Sequence, residues 1–271
     1  MKANTLSKLA FVVGGSEGIG KETAREMIRQ GFDVIIFSRN QSKLDKAIFE
    51  LQSARQSLRQ KTESCALDVT DWNMTKAMME KLIKKHGTPD YLINCAGYAR
   101  PGYIEDLEIE HYRKMMDLNY FGIVHTCKAI APHMMKAKHG KIINTSSMAG
   151  FIGLFGYTGY CASKWAVVGF SEALRRELEV YGIRVSVLAP PNTTTPGLIE
   201  ENRYKSMEIL ATEEKVKPVS PEYVAKSIIA NLSNNKFMIH PTFEGSLAYR
   251  LSRFTPSLMN LFVRRKSESL S

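Results

Sequence analysis

Apolar residues along the chain fall into short runs separated by longer stretches of mixed character. Leu9-Ala10-Phe11-Val12-Val13 is the first run; a glycine cluster follows, then residues 21–30 with helical composition. Asp33-Val34-Ile35-Ile36-Phe37, residues 62–67, Tyr91-Leu92-Ile93-Asn94, Lys141-Ile142-Ile143-Asn144-Thr145, Arg184-Val185-Ser186-Val187-Leu188 and Phe237-Met238-Ile239 read as further strands. Helical spacing of apolar positions predicts helices within 40–60, 71–85, 107–138, 159–181 and 221–232. Asn119 and Gly122 fall between two helical stretches of the 107–138 segment. Strands that are apolar throughout and alternate with helices imply a parallel sheet covered on both faces. The expected fold is therefore α/β, a doubly wound, seven-stranded parallel sheet in one domain over residues 1–241, with an extension over 242–271.

Composition narrows the class of protein. No apolar run reaches the roughly 18 to 20 residues a spanning helix needs. The first eight residues, MKANTLSK, read as too short and polar for a signal peptide. The cysteines Cys65, Cys95, Cys127 and Cys161 form no C-x-x-C pair, so no metal site is expected and a reducing, cytoplasmic compartment fits. The net charge of +10 suits nucleic acid, an anionic membrane face or an anionic cofactor. The chain carries no zinc-finger, RNP-like or basic-zipper pattern, and nucleic acid is set aside.

Two constellations carry chemistry. Gly14, Ser16, Gly18, Ile19 and Gly20 close the first strand and open the first helix, where glycines let a pyrophosphate approach the helix N-terminus. The spacing is G-x-x-x-G-x-G, and by itself it also suits a plain turn. The second strand ends in Ser38-Arg39-Asn40 with no acid, and Lys43 lies one turn on. An Arg fork there suits the 2′-phosphate of NADPH, whereas a solvated basic helix start is the plainer alternative. Asp68 and Val69 after the third strand, and Asn94, Ala96 and Gly97 after the fourth, stand where an adenine edge and a ribose belong; Asn94 also suits a purely structural role. Tyr160 and Lys164, four residues apart, share a helix face. A nearby ammonium should lower the phenol's pKa and equip it to protonate a carbonyl oxygen. Taken alone, the pair is also an ordinary surface Tyr and Lys.

In this order the motifs Gly14-x-x-x-Gly18-x-Gly20, Asn94-Cys95-Ala96-Gly97, Asn119, Ser147 and Tyr160-x-x-x-Lys164 resemble the short-chain dehydrogenase/reductase family from about Leu9 to Pro241. The resemblance implies a Rossmann fold, Tyr160 as proton donor and Lys164 holding the nicotinamide ribose. It also implies Ser147 binding the substrate carbonyl and Asn119 holding a relay water. Ser147 is preferred to Ser146 because Ser147-Met148-Ala149-Gly150 matches the family's S-x-x-G; Tyr160 is preferred to Tyr157 because only Tyr160 has its Lys four later. The chain departs from the family at Val13, usually Thr, and at Pro190-Pro191, usually Pro-Gly. The loop after Pro190 should still run along the nicotinamide, with Thr193 and Thr195 near its carboxamide.

Pro190-Pro191-Asn192-Thr193-Thr194-Thr195-Pro196-Gly197 looks like the corresponding stretch of the 3-ketodihydrosphingosine reductases, P-P-D-T-D-T-P-G, with Asn192 and Thr194 in place of its two acids. That group implies NADPH-dependent reduction of a lipid ketone at a membrane surface, by a homo-oligomer as in the wider family. Residues 197–219 would be the lid over the pocket. Residues 246–266, with Leu247, Leu251, Phe254, Leu258, Met259, Leu261, Phe262 and Val263 interleaved with Arg250, Arg253 and Arg264-Arg265-Lys266, would lie in the membrane interface, broken at Pro256. The alternatives are a tail packed on its own domain or a partner, a steroid or 3-oxoacyl substrate, and a dinucleotide-binding sensor without turnover. The intact set Asn119, Ser147, Tyr160 and Lys164 argues against the last.

Overall fold

The computed structural model describes residues 7–213 and 217–257. Seven parallel strands form one sheet in the order β3-β2-β1-β4-β5-β6-β7. They are β1 (Leu9–Val13), β2 (Asp33–Ser38), β3 (Thr62–Ala66), β4 (Tyr91–Asn94), β5 (Gly140–Thr145), β6 (Ile183–Leu188) and β7 (Met238–Ile239). Side chains of successive strand residues point to opposite faces, so two cores form. Phe11, Val13, Ile35, Phe37 and Leu92 join one cluster. Ala10, Val12, Val34, Ile36 and Ile93 join the other. The helices α1 (Gly18–Arg29), α2 (Gln41–Gln52), α3 (Trp72–His86), α4 (Ile109–Met116), α5 (Gly122–Ala137) and α6 (Thr158–Glu179) cover the faces. Side-chain caps help to set their starts: Asn40 accepts from the Lys43 N–H and Asp71 from the Met74 N–H.

The strand order reverses between β1 and β4, which opens a crevice at the carboxyl ends of those strands. Beyond β6 come α7 (Pro196–Asn202), α8 (Met207–Glu213) and α9 (Pro221–Ala230). The lid expected over 197–219 is thus two short helices; residues 214–216 of it lie outside the described residues.

Over its described residues the extension takes the packed alternative. Residues Phe243–Phe254 form α10, and Ala248, Tyr249 and Leu251 pack on Phe151, Ile152 and Met238 of the domain. Its outer face leaves Phe243 and Phe254 about four-fifths exposed, at 78% and 81%. The helix ends before Pro256, as expected. The tail residues Leu258 to Val263 and Arg264-Arg265-Lys266 lie outside the described residues. Among the described residues no helix is long and apolar enough to cross a membrane.

Candidate active site

The glycine loop is built by close backbone approach. Gly14 has a φ of +79°, and a Cβ there would stand 2.5 Å from the Ala96 nitrogen. The loop therefore presses on the Asn94-Cys95-Ala96-Gly97 stretch that leaves β4. Ser16 is buried, and Ile19 packs into the second core. The residue before α1, Glu17, makes no side-chain capping bond, which leaves the first N–H groups of that helix without a cap from it. Thr195 closes over this loop: its methyl would be 3.0 Å from a Cβ on Gly18.

At the end of β2, Ser38 is partly buried and Arg39 reaches outward, with Nη1 3.9 Å from Asp68 Oδ2. Lys43 Nζ is 2.7 Å from Glu17 Oε2. Both pairs are solvent-exposed and therefore weak, so neither withholds its cation from a phosphate. Asp68 also accepts from the Thr70 N–H and hydroxyl at 3.0 and 2.8 Å. Val69 is buried, and its carbonyl accepts from His125 at 2.8 Å. A cleft of about 220 Å³ lies beside Arg39 and Leu118 and takes Arg113 and Lys114 from α4 into its wall. These two cations went unnoticed in the sequence because only the packing of α4 brings them to the β2 end. Arg39→Asp should weaken NADPH and improve NADH relative to it, since a carboxylate repels a 2′-phosphate and accepts from a 2′-hydroxyl. Dissociation constants for both cofactors check this; an unmoved preference removes Arg39 from the site.

Asn94 takes its structural alternative. Its amide donates to Asn144 at 2.8 Å, and its oxygen accepts from Thr126 at 2.9 Å. That side chain, 2% exposed, ties β4 to β5 and α5. In the backbone after it, Gly97 leaves open the space between Asn119 Oδ1 and Lys164 Nζ; each would be 3.4 Å from a Cβ placed there.

Asn119 sits in a π-helical turn, Asp117–Phe121, that joins α4 to α5. Such turns often mark functional sites. Its Oδ1 accepts from the Tyr98 N–H at 2.7 Å, and its Nδ2 donates to the Tyr98 carbonyl and to Ser163 Oγ at 2.8 and 2.9 Å. The Asn119 side chain thus orders the post-β4 loop against α6. Lys164 is 3% exposed, and its Nζ donates to the Thr145 carbonyl at 3.0 Å. Burial pulls its ammonium down to about 8. One partner leaves two N–H donors free, which fits the hydroxyls of a ribose. Ser147 begins a short 3₁₀ turn, its Oγ accepts from the Ala149 N–H at 3.2 Å, and it stands beside the Tyr160 phenol.

The expected effect of Lys164 on Tyr160 is corrected by the geometry. The ammonium lies 5.6 Å from the ring centre and turns toward Thr145. Burial, reinforced by the charge of Glu201, pushes the Tyr160 phenol up, and the neighbouring Ser147 hydroxyl opposes that rise. The spacing placed both groups on one face but did not fix which way the ammonium turns.

The loop after β6 is tied to its neighbours by its own hydrogen bonds. The Pro190 carbonyl accepts from the Met148 N–H at 3.4 Å, joining this loop to the Ser147 turn. Thr193 is buried and donates to the Pro191 carbonyl at 2.9 Å. Thr195 Oγ1 caps α7, accepting from the Leu198 N–H at 3.2 Å. Thr193 thus spends its donor within the loop, whereas Thr195 keeps its O–H to donate and faces the glycine loop. The sequence reading missed the side chains that hold the lid here: Tyr157, Asn192, Glu201, Lys205 and Glu213.

Comparison with known proteins agrees with this geometry. The family described as short chain dehydrogenase matches residues 8–205. A mouse protein named 3-ketodihydrosphingosine reductase is 37% identical over 90% of this chain and 73% of its own length. A protein of the same name from Dictyostelium discoideum is 38% identical over 86% of this chain and 74% of its own. Among solved structures, ElxO with NADP bound superposes with a TM-score of 0.75 at 30% identity, over 87% of this chain and 98% of that one. The chain belongs to the short-chain dehydrogenase family.

Proposed function

We propose that this chain is an NADPH-dependent reductase of a sphingoid-type ketone, converting 3-ketodihydrosphingosine to dihydrosphingosine. The observation that carries the reaction type is the convergence of Ser147, Tyr160 and Lys164 beside Asn119 at the carboxyl ends of β4 and β5. The dihydronicotinamide, when bound, supplies a hydride to the ketone carbon. Ser147 has a hydroxyl to offer the ketone oxygen, and Tyr160 delivers the proton to it. A phenol pushed up by burial stays protonated at neutral pH, as a donor must. Lys164 supplies N–H donors for the ribose hydroxyls in the space beside Gly97.

The names of the mouse and Dictyostelium relatives and the Pro190–Gly197 stretch support the substrate. An apolar lid is consistent with a lipid: Ile199, Met207 and Leu210 are exposed, as are Leu154 and Phe155 beside it. The test is NADPH consumption with 3-ketodihydrosphingosine against a steroid ketone and a 3-oxoacyl thioester. Faster turnover of either competitor defeats the substrate reading.

Cytoplasmic placement, a homo-oligomer through α5 and α6, and peripheral membrane contact complete this reading. The outer face of α10, with Phe243, Leu247 and Phe254 beside Arg250, supports the contact. Cutting the chain at Glu244 would strip Tyr249 and Leu251 from the core, so the informative truncation ends at Ser257. Full-length protein should co-sediment with anionic liposomes, less so at high salt, and the truncation should bind more weakly. Equal binding by both forms clears residues 258–271 of that role.

A further inference from the structure

The lid helices α7 and α8 have seven residues each, too few to hold a position without tertiary contacts. Ile209 provides one contact, fully buried with Ala149, Tyr157 and Cys161. The other is polar. The Tyr157 hydroxyl donates at 2.6 Å to Glu201 of α7 and lies 2.9 Å from a carboxylate oxygen of Glu213 of α8. Lys205, between the two helices, has a side chain 1% exposed and reaches Glu213 at 2.7 Å and Glu201 at 3.3 Å. Asn192 of the double-proline loop donates to Glu213 at 2.9 Å. Tyr157 itself is 4% exposed. One hydroxyl thus gathers both lid helices, and the ammonium beside it leaves neither carboxylate alone.

Tyr157 precedes α6 directly, and its ring centre is 6.0 Å from that of Tyr160. We infer that Tyr157 is a positioning residue: through Glu201, Lys205 and Glu213 it fixes the lid against the helix that carries the proton donor. A buried network of this kind is costly to break on one side, because the remaining charge is left unpaired. On the far side the lid is held by more exposed contacts, Tyr103 to Ser206 and Glu208 at 2.7 and 2.9 Å. Tyr157 thereby keeps the inner end of the lid in register with Tyr160. This rests on the reductase reading but not on which ketone is reduced.

The test compares Tyr157→Phe, Glu213→Gln and the double variant with wild type, using whichever panel ketone wild type reduces fastest. Each single change should lower kcat/KM for the ketone by about tenfold or more, and the double change by no more than the larger single loss. NADPH affinity, read by its fluorescence, should stay within about twofold and shows that each variant is folded. Lys205→Arg should retain more activity than Lys205→Met. If no panel ketone is reduced, faster hydrogen exchange of the α7 and α8 amides in Tyr157→Phe, with α6 unchanged, is the expected result. Losses that multiply in the double variant, a parallel fall in NADPH affinity, or unchanged kinetics and exchange overturn the inference. A steroid or thioester as the fastest substrate defeats the sphingoid reading and leaves this test standing.

Discussion

Tyr160→Phe is expected to lower kcat by about 10²- to 10⁴-fold while leaving NADPH affinity within about twofold. The substitution keeps the ring and removes only the O–H. The space beside Gly97, Lys164 and the glycine loop are untouched, so binding of the cofactor should survive. The ketone loses both its proton source and one hydrogen bond, and Ser147 alone cannot replace a donor whose proton is transferred. The loss should appear in single turnovers as well as in steady state, because it falls on the chemical step. The pH profile supplies a second check. Burial and Glu201 hold the Tyr160 phenol above its ordinary range, so its donor form persists upward in pH. Reduction by wild type should therefore show no acid-side loss traceable to Tyr160, and the variant should not restore rate at any pH. A kcat within tenfold of wild type would sink the assignment.

The sheet could be read from the sequence because its strands are buried on both faces. Tyr91-Leu92-Ile93-Asn94 was expected as a strand and is β4 to the residue. The same logic placed the glycine loop, and the spacing of Tyr160 and Lys164 placed the site on α6. What could not be read is what burial decides. Glu201, Lys205 and Glu213 look like ordinary helix-surface charges until α7 and α8 fold back over Tyr157. The π-helical turn at Asn119 has no periodic signature. The apolar stripe of the extension, broken at Pro256, suits a membrane face and a protein face alike, and α10 packs Tyr249 against Phe151, with ring centres 5.2 Å apart. A stripe of apolar residues says that a face will be covered and does not say by what.

Lys164→Met should separate stability from function. The side chain is 3% exposed and its ammonium is pulled down to about 8 by burial, against 10.5 for an ordinary lysine. A folded-state value below the unfolded one means that folding opposes the charged form. Between about pH 8 and 10.5 the unfolded chain holds the proton while the folded chain has released it, so wild-type stability gains from this group as pH rises through that window. Below it the full cost of burying the ammonium is present, about 3 kcal/mol for a shift of this size. Methionine fills similar volume without charge and forgoes one hydrogen bond to the Thr145 carbonyl, worth about 1 kcal/mol. The variant's Tm at neutral pH should therefore exceed that of wild type, and the gap should narrow toward pH 10. Activity should move the other way. With the two free N–H donors gone, NADPH should bind more weakly and reduction should slow by about 10²-fold or more. Thermal melts across pH and NADPH titrations check both halves. A Tm below wild type at pH 7 would mean that Lys164 stabilises the fold, and a loss of rate without loss of NADPH affinity would take it away from the ribose.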